Sequence, residues 1–147
     1  MHFDPFKEML PMRIRPATPA DLPSIAEIQS ATPASARWPP ADYLAGKCWV
    51  AEIDGRPQAY LAARQIVPDE FEILDLAVDP PARNRGIARA LVLHACAELT
   101  GSGYLEVRSS NTAARNLYTS CGWIPNGVRR AYYSNPEEDA VVMKTQR

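Results

Sequence analysis

A chain of 147 residues with 16 basic and 17 acidic side chains carries a formal net charge of −1. That balance argues against a dedicated nucleic-acid binder, because neutralising phosphates needs a basic excess. No apolar run reaches the roughly 18–20 residues that span a bilayer, so no membrane partner is expected.

The length suits one domain, expected over residues 12–147 behind an N-terminal extension at residues 1–11. Cys48, Cys96 and Cys121 are odd in number and form no CxxC, which reads as reduced thiols in a cytoplasmic protein. The first residues lack a basic segment followed by an apolar one, so no signal peptide is expected. Of the two histidines, His2 lies near the terminus and His94 would have to act alone. A His-based metal site or a Ser-His-Asp triad is therefore not expected, and carboxylates and tyrosines must supply any acid and base.

Taken in order, Met12 to Pro16 reads as a first strand with Ile14 facing inward. Thr18-Pro19-Ala20-Asp21 is a helix start, with a hydroxyl cap, proline at the first position and a carboxylate at the positive end of the dipole. Leu22, Ile25 and Ile28 carry that helix to about Ser30. The stretch from Ala31 to Pro40 holds three prolines and reads as a loop, followed by a short helical turn around Asp42 to Ala45. Cys48 to Ile53 and Arg56 to Val67 read as strands joined by an Asp54-Gly55 hairpin turn, and Phe71 to Val78 as the next strand.

That last strand opens the stretch around which the chain is organised. Asp79-Pro80-Pro81 stops it, since proline donates no amide and restricts its predecessor. From Ala88 to Leu99 the pattern is helical, with Ile87, Ala90, Leu91, His94, Ala95 and Glu98 along one side. Strand, glycine-bearing turn, helix is a geometry that points unpaired amides outward at a helix start and makes an anion site. Gly86 and Ala88 would let a phosphate approach the backbone closely. The three-glycine Rossmann spacing and the Gly-Lys-Ser/Thr of a P-loop are both missing.

Tyr104 to Arg108 alternates as a strand. Asn111-Thr112 caps a helix with Ala114, Leu117, Tyr118 and Cys121 on one stripe. Trp123 to Tyr133 and Ala140 to Lys144 read as a terminal hairpin.

The run Arg83-x-x-Gly86-x-Ala88 after a strand ending Ala77-Val78-Asp79-Pro80 resembles the coenzyme A motif of the GNAT superfamily of N-acetyltransferases. The element order agrees over residues 12–144. Leu105-Glu106-Val107-Arg108-Ser109-Ser110-Asn111 followed by Leu117-Tyr118 is similar to the ribosomal-protein-alanine N-acetyltransferase branch. The resemblance implies an α/β (α+β) fold with a mixed sheet of about seven strands and about four flanking helices. It implies acetyl-CoA as donor and direct attack by a bound amine, such as the N-terminal α-amine of a protein.

Residue by residue, it assigns Glu106 as general base and Tyr118 as general acid. Backbone groups of Leu76, Ala77 and Val78 would meet the acetyl and pantetheine part of the cofactor. Arg83, Asn84, Arg85, Gly86, Ile87, Ala88 and Arg89 would hold its pyrophosphate, and Asn111 and Tyr118 would also contact it.

Each assignment has a plainer competitor. Glu106 alternates with Leu105 and Val107 and could be the solvent face of a strand; Tyr118 could be an ordinary buried tyrosine, and Asn111 only a helix cap. Arg83, Arg85 and Arg89 could be a solvated helix face. Trp38, Arg130 and Tyr132, with Arg129 and Tyr133, could line an acceptor groove, or the hairpin residues could be cross-strand pairs. Glu72 and Asp75 stand as reserve bases. An α-amine, with a reference pKa of about 7.7–8.0 against about 10.4 for lysine, is the easier acceptor for a single carboxylate base. Lysine side chains and small amines remain open as acceptors, and a non-catalytic acyl-CoA sensor remains the reading from another class.

Overall fold

Alternation and proline placement account for most element boundaries in the computed structural model, which describes residues 12–32 and 38–147. The expected extension at 1–11 and positions 33–37 of the proline-bearing loop lie outside the described residues. The strands are β1 (Met12–Pro16), β2 (Lys47–Ile53), β3 (Arg56–Val67), β4 (Glu70–Val78), β5 (Ser102–Arg108), β6 (Trp123–Tyr133) and β7 (Glu138–Thr145). The α-helices are α1 (Leu22–Ser30), α2 (Pro40–Tyr43), α3 (Ile87–Glu98) and α4 (Thr112–Ser120). The expected helix start at Thr18 is instead a 3-10 turn, Pro19–Asp21, running into α1. There the buried Asp21 carboxylate accepts from the Thr18 amide at 2.8 Å and from both terminal nitrogens of Arg15, each at 2.8 Å.

The seven described strands form one mixed sheet in the order β1-β2-β3-β4-β5-β7-β6. Every neighbouring pair is antiparallel except β4 with β5. One face carries α3 and α4 over Trp49, Leu61, Phe71, Leu105 and Met143. The other carries α1 and α2 over Cys48, Val50, Tyr60 and Ala62. On α3 the buried residues are Ile87, Leu91, Val92 and Ala95. The expected stripe through Ala90, His94 and Glu98 is thus turned part of a helical turn toward Val92, because the adjacent pair Leu91-Val92 buries more apolar surface than His94 can. His94 stays half-buried, edge-on to the Trp49 ring at 5.6 Å.

Two irregularities in β4 shape the site. Ala63 pairs with Ile73 but Ala62 pairs with Asp75, so Leu74 is an extra residue, a β-bulge. Phe71 and Ile73 therefore face α3, whereas Asp75 and Ala77 face the α1 side, and Leu76 and Val78 turn back onto the α3 face. Second, β4 and β5 pair only from Glu70↔Ser102 to Glu72↔Tyr104. Beyond Glu72 the two strands part company and leave a wedge in the sheet.

Candidate active site

The wedge holds a cavity of about 640 Å3, walled by residues 72–76 of β4 and 105–108 of β5. Backbone alternation fixes what β4 presents to it. The Asp79 amide donates to the Gln58 carbonyl at 2.8 Å, across to β3. Val78 and Leu76 are then the residues whose backbone groups point the other way, into the wedge, and no described strand pairs with them there. Ala77, expected beside them, turns its backbone toward β3, where it faces Tyr60.

Glu106, Tyr118 and Asn111, far apart in sequence, line this one cavity, together with Trp38 and Tyr132. Glu106 stands on the β5 face opposite buried Leu105 and Val107, the same face as Glu72. Its side chain is 17% exposed, and its nearest ionic partner is Arg129, with Nε 3.5 Å from Oε1. Burial first, and the Glu72 charge second, push its carboxyl above the ordinary carboxylate range, while Arg129 and Arg64 pull the other way.

Tyr118 is the buried residue of α4. Burial, reinforced by Asp75, pushes its phenol far above the usual value, so it stays protonated. Its hydroxyl has no hydrogen-bond partner among the described residues. Asn111 caps α4, its Oδ1 accepting from the Ala114 amide at 3.1 Å, and its NH2, without an acceptor among the described residues, is a donor on a residue that lines the cavity.

Glu72 is bound by Arg64, whose Nε and Nη2 reach Oε2 at 3.2 and 2.9 Å. Arg64 in turn lies over the Trp38 ring, 5.8 Å from its centroid. Asp75, the other reserve base, is buried and accepts from the Tyr43 and Tyr60 hydroxyls at 2.8 and 2.5 Å, which commits it to the core. Arg130 is exposed and is not part of the cavity wall, unlike Trp38 and Tyr132.

Sequence reading missed Arg64, and the clamp made by Arg108 and Glu138. Glu138 accepts from the Ser110 amide at 2.6 Å, the Ser109 hydroxyl at 3.1 Å and Arg108 at 3.3 Å. These bonds pull its carboxyl down to about 2 and tie the β5–α4 turn to the terminal hairpin. A Ser-Ser-Asn run signals a turn, but its partner 28 residues on carries no local signal.

At the far end of β4 the chain turns through Pro80–Ala82 into α3. Asn84 and Gly86 both have positive φ, +64° and +77°, and Gly86 is the N-cap of α3. A Cβ built on Gly86 would meet nothing within 4 Å. The space beside Gly86 is therefore open, at a helix start whose first amides have no intrahelical partner. Gly86 caps α3, and Ile87, Ala88 and Arg89 form its first turn. Arg83 does not extend over the turn: its Nε donates to the Val78 carbonyl at 3.2 Å. Arg89 reaches the Ser120 carbonyl at 3.5 Å, linking α3 to the end of α4. Arg85 is exposed and unpaired among the described residues.

Also among the described residues, no cluster of three or more His, Cys, Asp or Glu side chains could hold a metal ion, and no helix is long and apolar enough to cross a membrane.

A bulged strand, a wedge in the sheet and an open helix start mark an acyl-CoA-dependent transferase architecture. The family model described as Acetyltransferase (GNAT) family matches residues 16–123, and the chain belongs to that family. It is similar to the [ribosomal protein bS18]-alanine N-acetyltransferase of Escherichia coli strain K12, with 42% identity over 91 residues, 58% of this chain and 62% of that protein. The chain thus spans less than two-thirds of that relative's length. The N-alpha-acetyltransferase RimI of Mycobacterium tuberculosis is 42% identical over 79 residues, 52% of this chain and 49% of that protein. In structure, the ribosomal-protein-S18-alanine N-acetyltransferase of Escherichia coli superposes with a TM-score of 0.78 at 28% identity, covering 91% of this chain and 92% of that one.

Proposed function

We propose that this chain transfers an acetyl group from acetyl-CoA to a protein N-terminal α-amine by direct attack. The observation that carries the reading is the meeting of Glu106 and Tyr118 on one cavity, the first with raised proton affinity and the second held as a neutral phenol. Family membership and the likeness to two protein N-terminal acetyltransferases support the donor and the acceptor class.

Acetyl-CoA supplies the activated acyl group as a thioester. The amides of Leu76 and Val78 would meet its acetyl and pantetheine part, Asn111 would add a donor from the cap of α4, and the helix start at Gly86–Arg89 would take the pyrophosphate. Glu106 removes the proton from the attacking amine, directly or through a water. Tyr118 gives its proton to the departing thiolate, and the second proton that the attacking nitrogen sheds on becoming an amide restores the Tyr118 phenol, so Glu106 ends with one proton and CoA leaves as the thiol.

A raised Glu106 narrows the gap to an α-amine at about 8, while a lysine near 10.4 stays over two further pH units away, about 3 kcal/mol more to deprotonate. That difference favours the α-amine over the lysine reading. Joint occupation of the cavity by an acid and a base favours an enzyme over a sensor.

The test is thiol release from acetyl-CoA against Ala- and Ser-starting peptides, the same peptides N-terminally blocked but carrying an internal lysine, and polyamines. Turnover confined to free N-termini is expected. Turnover only on blocked lysine peptides or polyamines overturns the acceptor assignment, and binding of CoA without turnover on any of them favours the sensor.

A further inference from the structure

At the acceptor end of the cavity two carboxylates stand on one face of the sheet. Glu72 is at the last paired position of β4, opposite Tyr104, and Glu106 lies two residues further along β5. Two strand residues and one strand spacing place their Cα atoms about 8 Å apart, with both side chains on the same face. Both side chains are largely shielded, 23% and 17% exposed. Each carries an arginine that rests on an aromatic ring: Arg64 on Trp38 for Glu72, and Arg129 on Tyr132 for Glu106. The two arrangements differ in tightness. Arg64 holds Glu72 through two nitrogens at 3.2 and 2.9 Å, whereas Arg129 is 59% exposed and 3.5 Å away. Glu72 is thus a fixed charge, and Glu106 the carboxylate left accessible to a proton.

We propose that Glu72 is a positioning residue for proton transfer, its fixed negative charge setting the pH at which Glu106 exchanges its proton. The inference rests on the reading of Glu106 as the base. Other charged and titratable groups also face Glu106. They are Arg64 from β3, Arg129, Tyr132 and Tyr133 from β6, and Lys144 of β7, which sits over the Tyr104 ring. Arg108, next on the same face of β5, is taken up by Glu138. Asp75 and Tyr118 line the same cavity, but Asp75 is bound by the Tyr43 and Tyr60 hydroxyls and Tyr118 is a neutral phenol; among the described residues Glu72 is the carboxylate that holds a proton on Glu106, and Arg129 and Arg64 oppose it. The cavity thereby balances a base basic enough to accept from an ammonium against one that stays ionised near neutrality.

The test is a 13C titration of the glutamate side-chain carboxyls in the full-length protein, with the Glu106 resonance identified by its loss in Glu106→Gln. Glu72→Gln keeps an oxygen for Arg64 but removes the charge. Its Glu106 midpoint falls by roughly 0.5–1 pH unit, as Coulomb's law gives for about 8 Å at intermediate dielectric. Arg64→Gln breaks the same tie but removes a positive charge, so its midpoint rises, as it does in Arg129→Gln. Glu72→Asp keeps the charge and restores the wild-type midpoint. Unchanged midpoints in Glu72→Gln overturn the proposal. Movement of Glu72→Gln and Arg64→Gln in the same direction also overturns it, since a lost structural tie would then explain both. The acid limb of kcat/KM for a free-N-terminus peptide separates the two readings. If Glu106→Gln leaves that limb in place, Glu106 is not the base, whatever the titration shows.

Discussion

Replacing Gly86 separates the backbone requirement of the α3 start from its proposed use as a phosphate cradle. At φ +77° any residue with a Cβ is strained by about 1–2 kcal/mol. Nothing within 4 Å obstructs the new carbon, so Gly86→Ala and Gly86→Glu suffer the same strain and no clash. In a chain of this length both lose roughly 3–8 °C in Tm without ligand. With CoA the two diverge. A glutamate carboxylate about 4 Å from a phosphate is repelled by about 1–4 kcal/mol, a fivefold to nearly thousandfold rise in Kd. Alanine adds only bulk. Calorimetric titration of CoA measures the Kd directly, and the thermal shift gives an independent reading. Wild type gains about 2.7 kcal/mol at a hundredfold excess over Kd, and Gly86→Glu at the same CoA concentration loses between about 1 kcal/mol and nearly all of that. A Gly86→Glu protein with the wild-type Kd and the expected fall in Tm refutes the cradle.

Tyr118→Phe removes a hydroxyl that has no partner among the described residues to orphan. Stability is therefore nearly unchanged and CoA binding persists, while kcat on a free-N-terminus peptide falls about 100-fold or more; undiminished kcat removes Tyr118 from the chemistry. Gly103→Ala tests packing alone: its Cβ would lie 2.4 and 2.5 Å from Phe71 ring atoms and 2.8 Å from Trp123, which costs about 1–3 kcal/mol and several degrees of Tm. Glu138, held near 2 in the folded chain, stabilises it above the ordinary carboxylate range and loses that contribution as pH falls from about 4.5 toward 2. The gap in urea midpoint between wild type and Glu138→Gln is accordingly constant above about pH 5 and shrinks below it; a gap independent of pH refutes the linkage.

The strand–turn–helix at 74–91 was legible because its signals are local: two prolines stop a strand, and a glycine starts a helix one residue earlier than apolar spacing alone suggests. The bulge at Leu74 was not. Phe71 to Val78 reads as one unbroken buried strand, and only the pairing with β3 reveals that Ile73 and Asp75 face opposite sides. Glu106 and Tyr118 were singled out by resemblance, and alternation placed Glu106 on the strand face that lines the cavity. What surrounds them was hidden, because Arg64–Glu72 and Arg129–Glu106 join residues on different strands and depend on register. The surroundings of Asp75 were hidden for the same reason: a carboxylate immediately past a bulge is handed to the Tyr43 and Tyr60 hydroxyls.

The wedge itself has an energetic consequence. A sheet that stops pairing after Glu72 leaves the Leu76 and Val78 backbone groups without a strand partner in the middle of a seven-stranded sheet, where such groups normally pair. An extended ligand with its own amides restores those bonds, which is the physical reason a pantetheine chain fits a gap of this kind. Alternation makes the claim residue-specific. In the free protein the Leu76 and Val78 amides exchange hydrogen quickly, while Asp79, bonded to Gln58, and Ala77, turned toward β3, exchange slowly. Saturating acetyl-CoA slows Leu76 and Val78 by tenfold or more for each 1.4 kcal/mol of hydrogen bonding gained and leaves Ala77 and Asp79 nearly where they were. Uniform slowing of all four would mean that the ligand only rigidifies the domain, and slowing confined to Ala77 and Asp79 would mean that β4 presents its other edge.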